Sequence, residues 1–250
     1  MSTVLITGCS SGFGLATAQL FLDRGWNVVA TMRNVEANAL PPSDLLRVVA
    51  LDVTKPAQVS NVLSEVGQLD VLVNNAGFGV PAPVELIDLD TARAQFETNT
   101  LGTLSMVQAV LPRFRAQRAG VIINVTSSTT LKVIPLVGLY RASKAAVAAF
   151  TESLALEVKP FGIRAHIVIP GKAPETRFAD NAKASLRGLD DPEYGSMVRQ
   201  GLANMMDASG PLTQASDVAE AIWSVATDNN SDQTVAAGAD AKEWLGKARR

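Results

Sequence analysis

Short runs rich in β-branched residues recur along this chain, each followed by a segment whose apolar residues return at three and four positions, and no other feature narrows the fold so far. The runs occupy residues 4–7, 27–31, 47–51, 71–74, 121–126, 163–169 and 234–236; the helical patterns occupy 12–24, 56–66, 91–118, 138–158 and 216–227. Strand alternating with helix implies right-handed crossovers, and hence an α/β fold with a doubly wound, parallel, seven-stranded sheet covered by helices on both faces. Hydrophobic residues at 47% and charged residues at 18% suit strands buried on both sides. The 250 residues show no shift in composition, so one domain spanning 1–250 is expected. Residues 174–210 leave the sheet pattern and carry Met197, Met205 and Met206 among polar neighbours, which reads as an excursion lying over the substrate side like a lid.

Several function classes drop out on composition. A formal net charge of −2 provides no basic footprint for nucleic acid. No apolar run approaches the roughly eighteen residues of a membrane span. Cys9 is the only cysteine and His166 the only histidine, so neither an internal disulfide nor a zinc site is expected, and no metal is assigned. The single cysteine, with no leader pattern at Met1, points to a reducing cytoplasm as the expected location. Cys9 lacks a partner base, His166 sits inside an apolar strand, and Trp26, Trp223 and Trp244 are scattered; all read as packed residues.

Every remaining motif falls at the carboxyl end of a strand. Thr7-Gly-Cys-Ser-Ser-Gly-Phe-Gly14 runs from a strand through a glycine-rich turn into a helix, an arrangement that points free N–H groups and the positive end of a helix dipole at an anion such as a pyrophosphate. Tyr140 and Lys144, four apart in a helical pattern, project from one face. A lysine ammonium beside a phenol favours the phenolate, which would make Tyr140 a usable proton donor and acceptor at neutral pH.

Taken in order, the glycine turn, Asn74-Asn-Ala-Gly77, Tyr140-x-x-x-Lys144 and Pro170-Gly171 closely resemble the short-chain dehydrogenase/reductase family over residues 4–240. Cys9-Ser-Ser-Gly-Phe-Gly14, Ala30-Thr-Met-Arg33 and Ala237-Gly-Ala-Asp240 look like its branch acting on steroids, retinoids and other hydrophobic alcohols and ketones. The resemblance implies a Rossmann fold and a catalytic set of Asn99, Ser127, Tyr140 and Lys144. Tyr140 would be the general acid and base, Ser127 would bind the substrate oxygen, and Asn99 would kink a helix and hold a water in a relay with Lys144. It implies dinucleotide contacts from Gly8, Ser10, Ser11, Gly12, Phe13, Gly14, Asp52, Val53, Asn75, Ala76, Gly77, Tyr140, Lys144, Pro170 and Gly171. The family's usual threonine five residues after that proline is replaced by Glu175, so the carboxamide contact passes to Thr176 or is lost.

Met32 stands where relatives preferring NAD carry an acidic residue, and Arg33 with Ser11 offers a cation and a hydroxyl to a 2′-phosphate, so NADP(H) is favoured over NAD(H). The expected partner is a small hydrophobic carbonyl compound or alcohol, facing walls at residues 78–81, 128–138 and 174–210. The two long helices resemble the family's subunit-pairing helices, which implies a homodimer or homotetramer. A dinucleotide-binding regulatory protein without turnover, and an epimerase or dehydratase using the same tyrosine and lysine, are the alternatives.

Overall fold

A computed structural model describes residues 1–248 and contains the expected seven-stranded parallel sheet. In chain order the elements are β1 (Thr3–Thr7), α1 (Gly12–Asp23), β2 (Asn27–Met32), β3 (Leu46–Ala50), α2 (Pro56–Glu65), β4 (Val71–Asn74), α3 (Leu89–Phe96), α4 (Thr103–Gln117), β5 (Gly120–Val125) and α5 (Gly138–Val158). Then come β6 (Ile163–Pro170), α6 (Arg177–Ala184), α7 (Gly195–Met206), α8 (Ala215–Thr227), β7 (Thr234–Ala237) and α9 (Ala239–Ala248). The strand order is β3-β2-β1-β4-β5-β6-β7, with every pairing parallel. The order reverses between β1 and β4, and in open sheets of this kind the crevice beyond the carboxyl ends at that reversal receives ligands.

Period-two alternation with apolar residues at both phases explains why the sheet is covered twice. Val4, Ile6, Val71, Val73 and Ile123 face one core with α1 and α8, where Phe21, Val218 and Ile222 are fully buried. Leu5, Leu72 and Ile122 face the other, against Val62 of α2, Met106 and Phe114 of α4 and Leu154 of α5. Trp26 and Trp223 stack edge-on around Phe21, with ring centroids 5.1 and 5.0 Å away, so they are packed as the sequence suggests. Trp244 lies under the Lys132 ammonium, 4.6 Å from the ring centroid.

The structure adds to the sequence reading in three places. The helix expected over 91–118, which the resemblance implies is kinked at Asn99, is interrupted there by a π-helical stretch, Glu97–Gly102, between α3 and α4. One extra residue in a turn re-aims the side chains after it, and such turns recur at functional sites. Residues 174–210 hold two helices, α6 and α7, and α9 follows β7; all three are short and low in apolar content. Among the described residues no helix is long and apolar enough to cross a membrane, and no cluster of histidine, cysteine or acidic groups could hold a metal ion.

Candidate active site

The glycine turn sits at the carboxyl end of β1. Gly8 has φ of +77°, a left-handed conformation that directs both its own N–H and that of Cys9 onto the Thr31 carbonyl, at 3.0 and 2.9 Å. A Cβ on Gly14 would lie 2.3 Å from the Gly8 carbonyl oxygen and 2.6 Å from the Asn75 amide nitrogen, so only glycine lets α1 approach the turn this closely. Asn75, at the end of β4, donates to the carbonyls of Thr7 and Gly8 at 3.0 and 3.2 Å. Thr7 Oγ1 accepts from the N–H groups of Asn75 and Ala76, each at 3.0 Å. Asn75 thus fastens the turn across the sheet reversal and spends its side-chain amide on the protein. Phe13 packs against the first core.

The first turn of α1 is left open. Ser11 stands at its N-cap without a capping bond from its side chain, and no acidic residue occupies the first turn. A cavity of about 660 Å3 opens in front of it, lined by Ser10, Ser11, Gly12, Thr176 and Gln214 among others. Uncapped N–H groups, a serine hydroxyl and open space in front of them suit a pyrophosphate. Thr176 faces this turn from the far side: its Cβ would lie 3.8 Å from a Cβ on Gly12, and its hydroxyl donates to Ala173 O. At the adenosine end, Met32 is buried at the end of β2 and Arg33 is exposed beside it. Arg33 acts on the carboxylate of Asp52, whose Oδ1 accepts from the N–H and hydroxyl of Thr54 at 2.9 and 2.7 Å. Val53 is buried against Gly102.

The predicted chemical groups meet one strand further on. Ser127, just past β5, is buried; its hydroxyl oxygen accepts from Thr129 N–H and hydroxyl at 3.2 and 3.0 Å, and its side chain favours ionisation of the Tyr140 phenol. Tyr140 and Lys144 lie one turn apart on α5, and Lys144 Nζ donates to Val125 O at 2.9 Å. Asn99 sits in the π-helical stretch, fully buried, and clasps the backbone of Phe78: its Oδ1 accepts from Phe78 N at 3.0 Å and its Nδ2 donates to Phe78 O at 2.8 Å. Its amide also donates to Ser143 Oγ at 3.0 Å. A Cβ on Gly77 would be 3.0 Å from Asn99 Oδ1 and 3.3 Å from Lys144 Nζ, so these two groups border the same small space.

One electrostatic expectation is overturned. The sequence suggested a phenol made more acidic by the lysine; instead burial pushes Tyr140 up to about 12, only partly offset by the Ser127 side chain. Burial likewise pulls Lys144 down to about 8. Desolvation disfavours the charged form of each group, and here it outweighs the attraction that spacing alone implies. Cys9 is buried too, and burial holds its thiol up at about 12, so it is no nucleophile. His166 is packed between Asp232 O and Arg164, at 2.9 and 3.2 Å.

Three loops close the opposite side. The Phe178 ring of α6 lies 5.5 Å from the Tyr140 ring, and a Cβ on Gly79 would press on both, at 3.3 and 3.2 Å. Arg187 N donates to Pro81 O at 3.1 Å, and Ala82 N donates to Leu136 O at 2.8 Å. Gly79 and Phe178 therefore border Tyr140, and the segment 79–82 is in turn tied to Leu136 and Arg187. Sequence reasoning missed Phe178, and it missed Gln95, whose Oε1 accepts from Val80 N at 3.1 Å. Gln95 lies four residues before Asn99, so the two side chains read the backbone of residues 78–80 from successive turns; that spacing was a usable signal.

The model of the short chain dehydrogenase family matches residues 2–186, about three quarters of the sequence. The chain belongs to the short-chain dehydrogenase family. This short-chain dehydrogenase is 40% identical over 201 residues to a 3-ketodihydrosphingosine reductase of Bacteroides thetaiotaomicron, covering 78% of the chain and 73% of the relative. It is 41% identical over 180 residues to the human retinol dehydrogenase 8, covering 68% of the chain and 58% of the relative. A short chain dehydrogenase of Burkholderia cenocepacia in complex with NADP superimposes with a TM-score of 0.80 at 26% identity, covering 99% of this chain and 92% of that one. Both NADP-bound and NAD+-bound proteins occur among the structural neighbours of this oxidoreductase.

Proposed function

We propose that this short-chain dehydrogenase interconverts a hydrophobic ketone or aldehyde and the corresponding alcohol, using NADP(H). The observation that carries the reading is the meeting of Ser127, Tyr140 and Lys144 beside an uncapped glycine turn at the sheet reversal. Gly8, Ser10, Ser11, Gly12 and Gly14 would hold the pyrophosphate, Asp52 and Val53 the adenine, and Gly77, Pro170 and Gly171 the nicotinamide end, with Thr176 reaching it from α6. A bound nicotinamide supplies or accepts the hydride. Ser127 donates a hydrogen bond to the substrate oxygen, and Tyr140 O–H passes its proton to that oxygen as the carbonyl carbon gains hydride. Burial that keeps the phenol protonated suits this donor role. In the opposite direction the phenolate must accept the proton, and the buried Lys144 ammonium stabilises it.

Preference for NADP(H) rests on Met32 offering no acceptor to a ribose 2′-hydroxyl while the exposed Arg33 and the uncapped Ser11 offer a cation and a hydroxyl to a 2′-phosphate. NAD(H) is the less favoured cofactor. The hydrophobic substrate class rests on the Phe178 ring beside Tyr140, and residues 174–210 act as a lid through α6 and α7. The reductase and the dehydrogenase among the relatives have names consistent with such substrates. Pairing of subunits through α4 and α5, with the exposed Leu156 on the outer face of α5, belongs to the same proposal, as does a cytoplasmic location.

The test is a panel of ketones and aldehydes of graded size incubated with NADPH, followed by loss of the reduced cofactor's absorbance. Oxidation of NADPH matched by alcohol formation is expected. Cofactor bound without consumption would instead indicate a regulatory protein, and an isomerised or dehydrated product with no net change in cofactor would indicate epimerase or dehydratase chemistry.

A further inference from the structure

The end of β6 is held by a buried carboxylate that the chemistry above does not use. Asp240, in the first turn of α9, is 2% exposed, and among the described residues it forms no ion pair. Its Oδ2 accepts from the backbone N–H of Lys172 at 2.6 Å and its Oδ1 accepts from the hydroxyl of Thr213 at 2.7 Å. Thr213 is equally buried. It lies 2.9 Å from both Gly171 N, which donates to its hydroxyl oxygen, and Ala237 O, while its own N–H donates to Lys172 O at 2.8 Å. A Cβ on Gly171 would stand 2.1 Å from both oxygens of Asp240, so the carboxylate fills the space a side chain there would take.

Two distant segments thus converge on one short stretch, and both backbone polar groups of Lys172 and the N–H of Gly171 are consumed by Asp240 and Thr213. The stretch continues into Ala173–Thr176, which lines the cavity in front of the glycine turn. Burying a carboxylate is unfavourable unless its hydrogen bonds are made well, and charge-assisted bonds fix geometry more firmly than neutral ones. We infer that Asp240, acting with Thr213, is a positioning residue that sets the end of β6 and the following loop against the nicotinamide half of the dinucleotide. The inference rests on the dinucleotide reading proposed above.

The experiment compares binding of a whole dinucleotide with binding of its adenosine half, NADPH against 2′,5′-ADP or NADH against ADP, by calorimetry on the full chain. Asp240→Ala removes both acceptors, whereas Asp240→Asn keeps an oxygen for Lys172 N–H and can donate to Thr213, whose proton then turns to Ala237 O. Thr213→Val and Thr213→Ser form a second pair, removing and keeping the hydroxyl, should Asp240→Ala not fold. Asp240→Ala and Thr213→Val are expected to raise the Kd of the dinucleotide about tenfold or more, the loss of a charge-assisted bond, while the adenosine half changes by less than about twofold. Asp240→Asn and Thr213→Ser should restore most of the loss. Equal weakening of both ligands, or no weakening of the dinucleotide, would overturn the positioning role alone. A wild-type chain that binds no dinucleotide would overturn the proposed function, and this inference with it.

Discussion

Replacing Lys144 by methionine probes the electrostatics of the site without any substrate. Lys144 is 4% exposed and burial lowers it from 10.5 to about 8. The folded chain therefore releases this proton at lower pH than the unfolded chain does. Between about pH 8 and 10.5 the unfolded state binds more protons, and stability rises with pH. The contribution is fully favourable above the unfolded value and is lost as pH falls through the folded one. At about 1.4 kcal/mol per pH unit the full span amounts to about 3 kcal/mol, of which about 2 kcal/mol is recovered between about pH 7 and pH 9.5. Methionine fills a similar volume and does not titrate. Its loss of the bond to Val125 O shifts stability by an amount that does not follow pH. Tyr140, held up at about 12, stays protonated over this range and is common to both proteins. Urea unfolding of cofactor-free wild type and Lys144→Met should show the stability difference moving by about 2 kcal/mol in favour of wild type from about pH 7 to pH 9.5. A difference constant to within about 0.5 kcal/mol would mean that the lysine is not desolvated, and the reasoning about the site would be wrong.

Two further outcomes follow from the same geometry. Arg33→Ala should raise KM for NADPH by about tenfold while leaving KM for NADH within about twofold, because only NADPH brings a 2′-phosphate charge for the exposed guanidinium to meet; steady-state kinetics with both cofactors checks this, and equal effects would remove the basis for NADP(H) preference. Phe178→Ala uncovers one face of the Tyr140 ring, so kcat/KM for bulky ketones should rise relative to small ones, with a change of about threefold or more in the ratio expected from a lost aromatic contact. An unchanged ratio would place Phe178 outside the substrate's path.

The sheet was legible in the sequence because its strands are β-branched runs with apolar residues at both phases, so 71–74 matches the structure to the residue and the others agree to within a residue at either end. The fixed spacing of Tyr140 and Lys144 on one helix was legible for the same reason: local periodicity dictates it. The irregularity at Asn99 was legible only through the resemblance, which implies a kinked helix there; that the kink takes the form of a π-helical stretch over Glu97–Gly102, with Asn99 packed on Phe78, was not. Helices α6, α7 and α9 were missed because they are short and poor in apolar residues, so that their amphipathic pattern extends over only two or three turns. The direction of the Tyr140 shift was misjudged because burial is a property of the whole fold, which four-residue spacing does not encode. The Asp240 contacts span 27 and 68 residues, and no local pattern announces them.

The central claim is that one phenol exchanges a proton with the substrate oxygen. Tyr140→Phe keeps the ring against Phe178 and deletes only that hydroxyl, so measuring NADPH affinity and single-turnover reduction on the same preparation separates binding from chemistry. The account predicts a Kd within about twofold of wild type and a reduction rate lower by about a thousandfold. Reduction within about tenfold of wild type would contradict it, because the proton would then come from elsewhere.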